Sequence, residues 1–150
     1  MGFECRLEQT ALDCSFTAET VLVEKVLEQM ETFLSRKCDA KTYFKVALVL
    51  RESLNNAVIH GAGQDQSLRV GCRAALSENR VLFEISSPGQ GFDWEVCMAE
   101  SPVGSTSPGG WGLFLIKEYS DGFEYSESGR VLKFWFDLDC QEKSPQKDKP

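Results

Sequence analysis

The sequence predicts an α+β fold, a two-layer sandwich with helices on one face of a mixed β-sheet. Three observations predict it. Two stretches in the first half, 18–36 and 40–60, carry apolar residues at steps of three and four, the period of a helix with one buried face. Further on, short apolar runs are separated by polar turns, as in strands. The helices come in a run and the strands after them read as hairpin-linked, so no Rossmann-type strand–helix–strand unit is expected. At 150 residues the chain has the length of one domain. A domain of that size buries roughly two-thirds of its unfolded surface and needs no disulfide or metal staple.

Residues 3–16 read as extended structure, two short strands and a turn, anchored in the core by Leu7, Leu12 and Phe16. In the first helix, Leu22, Val26, Met30, Phe33 and Leu34 form one stripe. The second helix buries Val46, Val49, Leu50, Ser53, Leu54, Ala57 and Val58, and Gly61 and Gly63 stop it. Strands are expected at 67–76 and 81–86 around the turn Ser77-Glu78-Asn79. A Gly-, Ser- and Pro-rich loop spans 87–110 and includes a short helical turn at 94–99. A third helix covers 113–119, and a hairpin at 123–125 and 131–137 closes the chain around Ser128-Gly129. Residues 1–140 thus form one domain. Residues 141–150, QEKSPQKDKP, are polar with two prolines and read as a flexible tail.

Sixteen Lys and Arg against 23 Asp and Glu give a net charge of −7. An acidic domain without a basic run repels a phosphate backbone, so no direct nucleic-acid partner is expected. No apolar run approaches the ~20 residues of a membrane span, and no signal segment opens the chain, so a cytoplasmic protein is expected. Its six cysteines, with no Cys-x-x-Cys pair, are then expected as reduced thiols. One histidine, His60, excludes multi-histidine metal sites.

Glu52, Asn56 and His60 are spaced four apart on the second helix. Each such step advances only about 40°, so the first two share a face and the third lies near it. A carboxylate beside a carboxamide suits phosphoryl transfer. The carboxylate accepts a proton from an attacking hydroxyl, and the amide oxygen is a hard ligand for Mg²⁺. The same spacing also fits the solvated face of any amphipathic helix. Two glycine clusters follow, Pro88-Gly89-Gln90-Gly91-Phe92-Asp93 after a strand and Gly109-Gly110-Trp111-Gly112-Leu113 before a helix. Glycines allow close backbone approach to a ligand, and a helix N-terminus offers unpaired N–H groups to phosphates. Either cluster also fits an ordinary tight turn.

In this order the segments resemble the Bergerat ATP-binding fold of the GHKL superfamily, which includes gyrase and the histidine kinases. Within it the chain looks most like the anti-sigma factor serine/threonine kinases of bacterial partner switching. The resemblance covers residues 18–136. It is carried by the segment from Arg51 to Gly61, RESLNNAVIHG, similar to the family's asparagine box, and by the segment from Gly110 to Ile116, GWGLFLI, similar to its second glycine box. It implies that ATP and Mg²⁺ bind, with Glu52 as general base toward a protein serine and Asn56 holding Mg²⁺. His60, Ser87, Gly89, Gly91 and Phe92 would belong to the nucleotide site. Gly109, Gly110, Trp111, Gly112 and Leu113 would close over the phosphates, and the loop 87–110 would hold the lid. The implied partners are a sigma factor and a STAS-type anti-anti-sigma protein, with a homodimer expected.

Two positions depart from the family pattern. Ser87 stands where the first glycine box has an aspartate that accepts from the adenine amino group. A buried charged hydrogen bond is worth about 1.5–3 kcal/mol, so its loss weakens binding about tenfold to more than a hundredfold. Arg130 stands where a threonine often follows the glycine of the last hairpin. A non-catalytic regulator of the same fold is therefore the alternative reading. A histidine kinase with its own phosphoacceptor is not expected, because His60 lies inside the asparagine box.

Overall fold

Alternation along the strands sorts the side chains of one six-stranded sheet onto two chemically different faces. The computed structural model describes residues 2–88, 108–126 and 129–138. The elements are β1 (Phe3–Leu7), β2 (Ala11–Thr17), a 3₁₀ turn (Thr20–Leu22), α1 (Val23–Leu34), α2 (Ala40–Asn56), a π turn (Ala57–Gly61), β3 (Arg69–Ser77), β4 (Arg80–Ser86), α3 (Pro108–Tyr119), β5 (Gly122–Ser126) and β6 (Val131–Asp137). The strand order is β1-β2-β3-β4-β6-β5. Every neighbouring pair runs antiparallel, where a mixed sheet was expected. Hairpins join β1 to β2 and β3 to β4, and the excursion through α3 and β5 returns β6 antiparallel to β4.

The inner face is apolar. Leu12, Ala74, Phe83 and Phe134 follow one another in register across four strands and are all buried. Phe83 stacks on Phe134 at 5.1 Å, and Phe136 meets both edge-on. This face joins one core with Val26, Met30 and Leu34 of α1, Val46, Leu50 and Leu54 of α2, and Ile116 of α3. The outer face is charged. Arg6, Asp13, Arg73, Glu84, Lys133 and Glu124 stand in one row across all six strands, with alternating sign. Arg73 pairs with Asp13 at 3.3 Å and Arg6 reaches the same carboxylate at 3.9 Å. Opposite charges facing across strands each contribute roughly 0.2–1 kcal/mol, and a one-residue slip would turn this row into the core.

The helices follow from their sequences. Asp39 caps α2, its carboxylate accepting from the Thr42 N–H at 2.8 Å, and this bond holds its pKa below the usual carboxylate range. Arg51 of α2 grips Glu24 of α1 with two nitrogens at 3.0 and 3.1 Å. The Tyr43 hydroxyl donates to the Leu27 carbonyl, and burial pushes its pKa up to about 12.

Three further expectations change. Leu7 is 70% exposed, because it ends the edge strand β1, which has a neighbouring strand on one side only. Cys5 and Cys14 are joined as a disulfide and are not reduced thiols. They are direct cross-strand partners of β1 and β2 with Cα atoms 4.1 Å apart, so their side chains meet on one face. Cys72, next in that row, remains a thiol that burial pushes up to about 12. α3 begins at Pro108 and not at 113, so the glycines of the second cluster lie in its first turns. Pro suits a first helical position, where its missing N–H has no partner to lose. The expected helical turn at 94–99 and the tail 141–150 lie outside the described residues. Among the described residues no helix is long and apolar enough to cross a membrane.

Replacing Phe83 by Ala is expected to cost about 3–5 kcal/mol in urea unfolding, whereas Leu7→Ala should stay within about 0.5 kcal/mol. Equal costs would contradict the assigned faces.

Candidate functional site

The C-terminal end of α2 meets the end of β4 and the β5–β6 hairpin. After Asn56 the helix widens into a π turn, in which the Ala62 N–H reaches back five residues to the Ala57 carbonyl at 2.8 Å. Such widenings are rare and gather at functional sites. Gly63 and Gln64 then take left-handed φ values of 64° and 58°, and the Gln64 N–H closes the turn on the Val58 carbonyl. Ser87 continues the β4–β6 ladder, donating its N–H to the Arg130 carbonyl at 2.8 Å. Its hydroxyl donates to the Ala57 carbonyl at 3.5 Å, a long and weak bond. A Cβ at Gly61 would overlap this hydroxyl and lie 2.8 Å from the Ser87 Cβ. Glycine is therefore required there by space.

Between these elements lies a small cavity lined by Ser53, Asn56, Ala57 and Gly61 from the helix, Ile85 and Ser87 from β4, and Tyr125, Gly129, Arg130 and Leu132 from the hairpin. Its accessible volume is about 20 Å³, room for one water by ordinary criteria. Two polar atoms in its wall are buried without a partner among the described residues, Ser53 Oγ and Asn56 Nδ2. An unmade hydrogen bond of this kind costs about 1–3 kcal/mol. Groups left unpaired in a cavity wall fit a ligand that supplies the missing partner. The donor set thus suits a polar ligand, and a ligand larger than water requires the walls to part.

Of the residues singled out in the sequence, Asn56 and Ser87 come together in this wall. Asn56 is only 6% exposed, which overturns the solvated-face reading at that position. Glu52 is half-buried on α2, one helical turn before Asn56, and is not among the lining residues. His60 is exposed on the π turn and does not line the cavity. The widened turn accounts for this, since four residues on no longer stack over the same face. Gly109, Gly110, Trp111, Gly112 and Leu113 lie in the first turns of α3. Gly89, Gly91 and Phe92 fall outside the described residues. Sequence reasoning assigned Ser53 only to packing, and Gly61 only to stopping the helix. A hydroxyl on an otherwise apolar stripe was the signal for the first. Tyr125 and Leu132 carried none. Among the described residues no group of three or more His, Cys, Asp or Glu is placed to hold a metal ion.

A family model described as a histidine kinase-like ATPase domain matches residues 16–136. The chain is also similar to proteins named anti-sigma F factor in three strains of Clostridium perfringens, SM101, ATCC 13124 and 13. Each alignment is 25% identical over 138 residues, covering 89% of this chain and 94% of the relative.

Gly61→Ala should lower stability by about 1–3 kcal/mol, because its new methyl overlaps Ser87. Adding Ser87→Gly should recover part of that loss, with a coupling above about 0.5 kcal/mol in a double-mutant cycle read by denaturation. Strict additivity would show that the two residues do not touch.

Proposed function

The chain belongs to the histidine kinase-like ATPase domain family, and from that premise we propose that it binds ATP with Mg²⁺ and acts as a serine/threonine-protein kinase of the anti-sigma factor type. The observation that carries this reading is the pair of groups buried without a partner among the described residues, Asn56 Nδ2 and Ser53 Oγ, in the wall where the end of α2 meets Ser87. When bound, the nucleotide and its metal supply the activated phosphoryl group and the charge that balances it. The protein's part is positioning. Asn56 would offer its amide oxygen to the cation. Glu52, half-buried one turn earlier on the same rigid helix, would accept the proton of a serine hydroxyl. The first turn of α3 has backbone N–H groups without helical partners, and these would receive phosphate oxygens.

The proposed partners are a sigma factor and a STAS-type anti-anti-sigma protein, met by a cytoplasmic homodimer. The name shared by the three relatives supports the first of these. A second reading, a protein-binding regulator with weakened or lost nucleotide binding, is favoured by Ser87. Its hydroxyl already donates to Ala57, and the cavity beside it is closed down to about 20 Å³.

Calorimetric titration with Mg·ATP separates the two. The kinase reading expects binding that Asn56→Ala weakens at least tenfold, the scale of one charged hydrogen bond or ligand. No heat with the wild-type chain would leave the second reading. Glu52→Gln should keep nucleotide affinity while phosphoryl transfer to a protein serine falls about 10²–10⁴-fold, the usual worth of a general base. Unchanged transfer would remove Glu52 from that role.

A further inference from the structure

We propose that Cys5, Cys14 and Cys72 form a redox-responsive latch, in which Cys14 exchanges its disulfide partner between Cys5 and Cys72 and so ties or releases the edge strand β1. The three stand side by side in one row across β1, β2 and β3, with Cys14 in the middle. All three belong to the inner face of the sheet. Cys14 and Cys72 are buried in the core, and Cys5 is half-buried against it.

Sheet register carries the argument. Opposed residues of an antiparallel ladder alternate between close pairs without hydrogen bonds, Cα atoms about 4.5 Å apart, and hydrogen-bonded pairs at about 5.5 Å. Toward β1, Cys14 is of the first kind. Ladder bonds there run from the Thr17 N–H to the Gly2 carbonyl and from the Glu8 N–H to the Ala11 carbonyl, an odd number of residues from Cys14 on either side. Toward β3 it is of the second kind. The Ala18 N–H donates to the Leu68 carbonyl and the Leu76 N–H to the Thr10 carbonyl, an even number of residues away. Disulfides commonly span Cα separations of about 4.4–6.8 Å. The pair Cys14 and Cys72 is therefore as well placed as the pair already bonded, whose Cα atoms are 4.1 Å apart.

The exchange needs no oxidant or reductant. The Cys72 thiolate attacks Cys14 Sγ from the side opposite Cys5. A bond forms between those sulfurs as the bond to Cys5 breaks, and Cys5 Sγ leaves with the electron pair and takes up the proton that Cys72 gave. One disulfide is present before and after. Burial pushes the Cys72 thiol up to about 12, so its thiolate is scarce and either linkage persists once made. In the cytoplasm proposed above, a disulfide is characteristically transient or redox-sensing. β1 depends on the tie, because it has one neighbouring strand and no fully buried side chain. Its ion pair to β2, Arg6 with Asp13 at 3.9 Å, is exposed and adds little. Released, β1 leaves the edge of β2 open for pairing.

Disulfide mapping of the full, folded chain tests this. The wild type is equilibrated in a buffer of reduced and oxidised glutathione, remaining thiols are alkylated, and linked peptides are identified by mass spectrometry. Two linkages are expected, Cys5 with Cys14 and Cys14 with Cys72. Cys5→Ser treated with the thiol oxidant diamide should give the second alone, and Cys72→Ser the first alone. Hydrogen–deuterium exchange should then be about tenfold or more faster at residues 3–7 in oxidised Cys5→Ser than in oxidised Cys72→Ser, with the β3–β4 ladder alike in both. Absence of the Cys14–Cys72 linkage from the equilibrated wild type would overturn the inference, and that arm needs no variant to fold. Equal exchange of β1 in the two linkage states would overturn its role as a latch.

Discussion

The end of α2 comes so close to the end of β4 that residue 61 has no room for a side chain beside Ser87. Much of the site follows from that approach. A regular helix continued past Asn56 would carry the chain away along its axis. The π turn gathers Ala57 to Gly61 over the sheet, and the Ala57 carbonyl takes donors from Ala62 and Ser87 together. Ser53 and Asn56, which precede the turn, are thereby closed in against Ser87 and the β5–β6 hairpin. Polar groups that would face water on a free helix end face a cavity.

Stability and site chemistry pull in opposite directions at this spot. Two buried groups without a partner among the described residues would, left dry, each cost about 1–3 kcal/mol, a sizeable share of a domain's net stability of roughly 5–15 kcal/mol. The rest of the sandwich supports that cost. The aromatic cluster of Phe83, Phe134 and Phe136 lies in the middle strands β4 and β6, with the helices packed above it. The charged row on the other face pins the register, so Ile85 and Leu132 stay in the cavity wall rather than on the outside. Arg51 ties α2 to α1 one residue before Glu52 and two before Ser53. The helix that bears the proposed base and cation ligand is therefore tied to α1 just ahead of both.

Most of the architecture was legible in the sequence because it rests on periodicity. The stripe Val46, Val49, Leu50, Ser53 and Leu54 gave α2 its buried face, and β6 was expected at 131–137, where it lies. What escaped depends on contacts between distant segments. Nothing local distinguishes Leu7, exposed at a sheet edge, from Leu12, buried one strand further in. The disulfide of Cys5 and Cys14 is set by hairpin register, and their spacing in the chain shows no motif. The glycines near 110 announced a helix, but a proline two residues earlier begins it. In the candidate site, the resemblance named Asn56 and Ser87, and both line one cavity. Ser53 was hidden because a small hydroxyl on an apolar stripe reads as packing, and His60 lies off this cavity because the π turn breaks the spacing of four.

A nucleotide bound as proposed would enter the space between the π turn and Ser87. Hydrogen–deuterium exchange of the full chain with and without Mg·ADP addresses it at the backbone. Slower exchange on binding is expected at residues 53–62 and 85–87, where the ligand would supply partners for Ser53 and Asn56 and fix the turn. Exchange unchanged there, with any protection confined to other parts of the sheet or to α1, would contradict it.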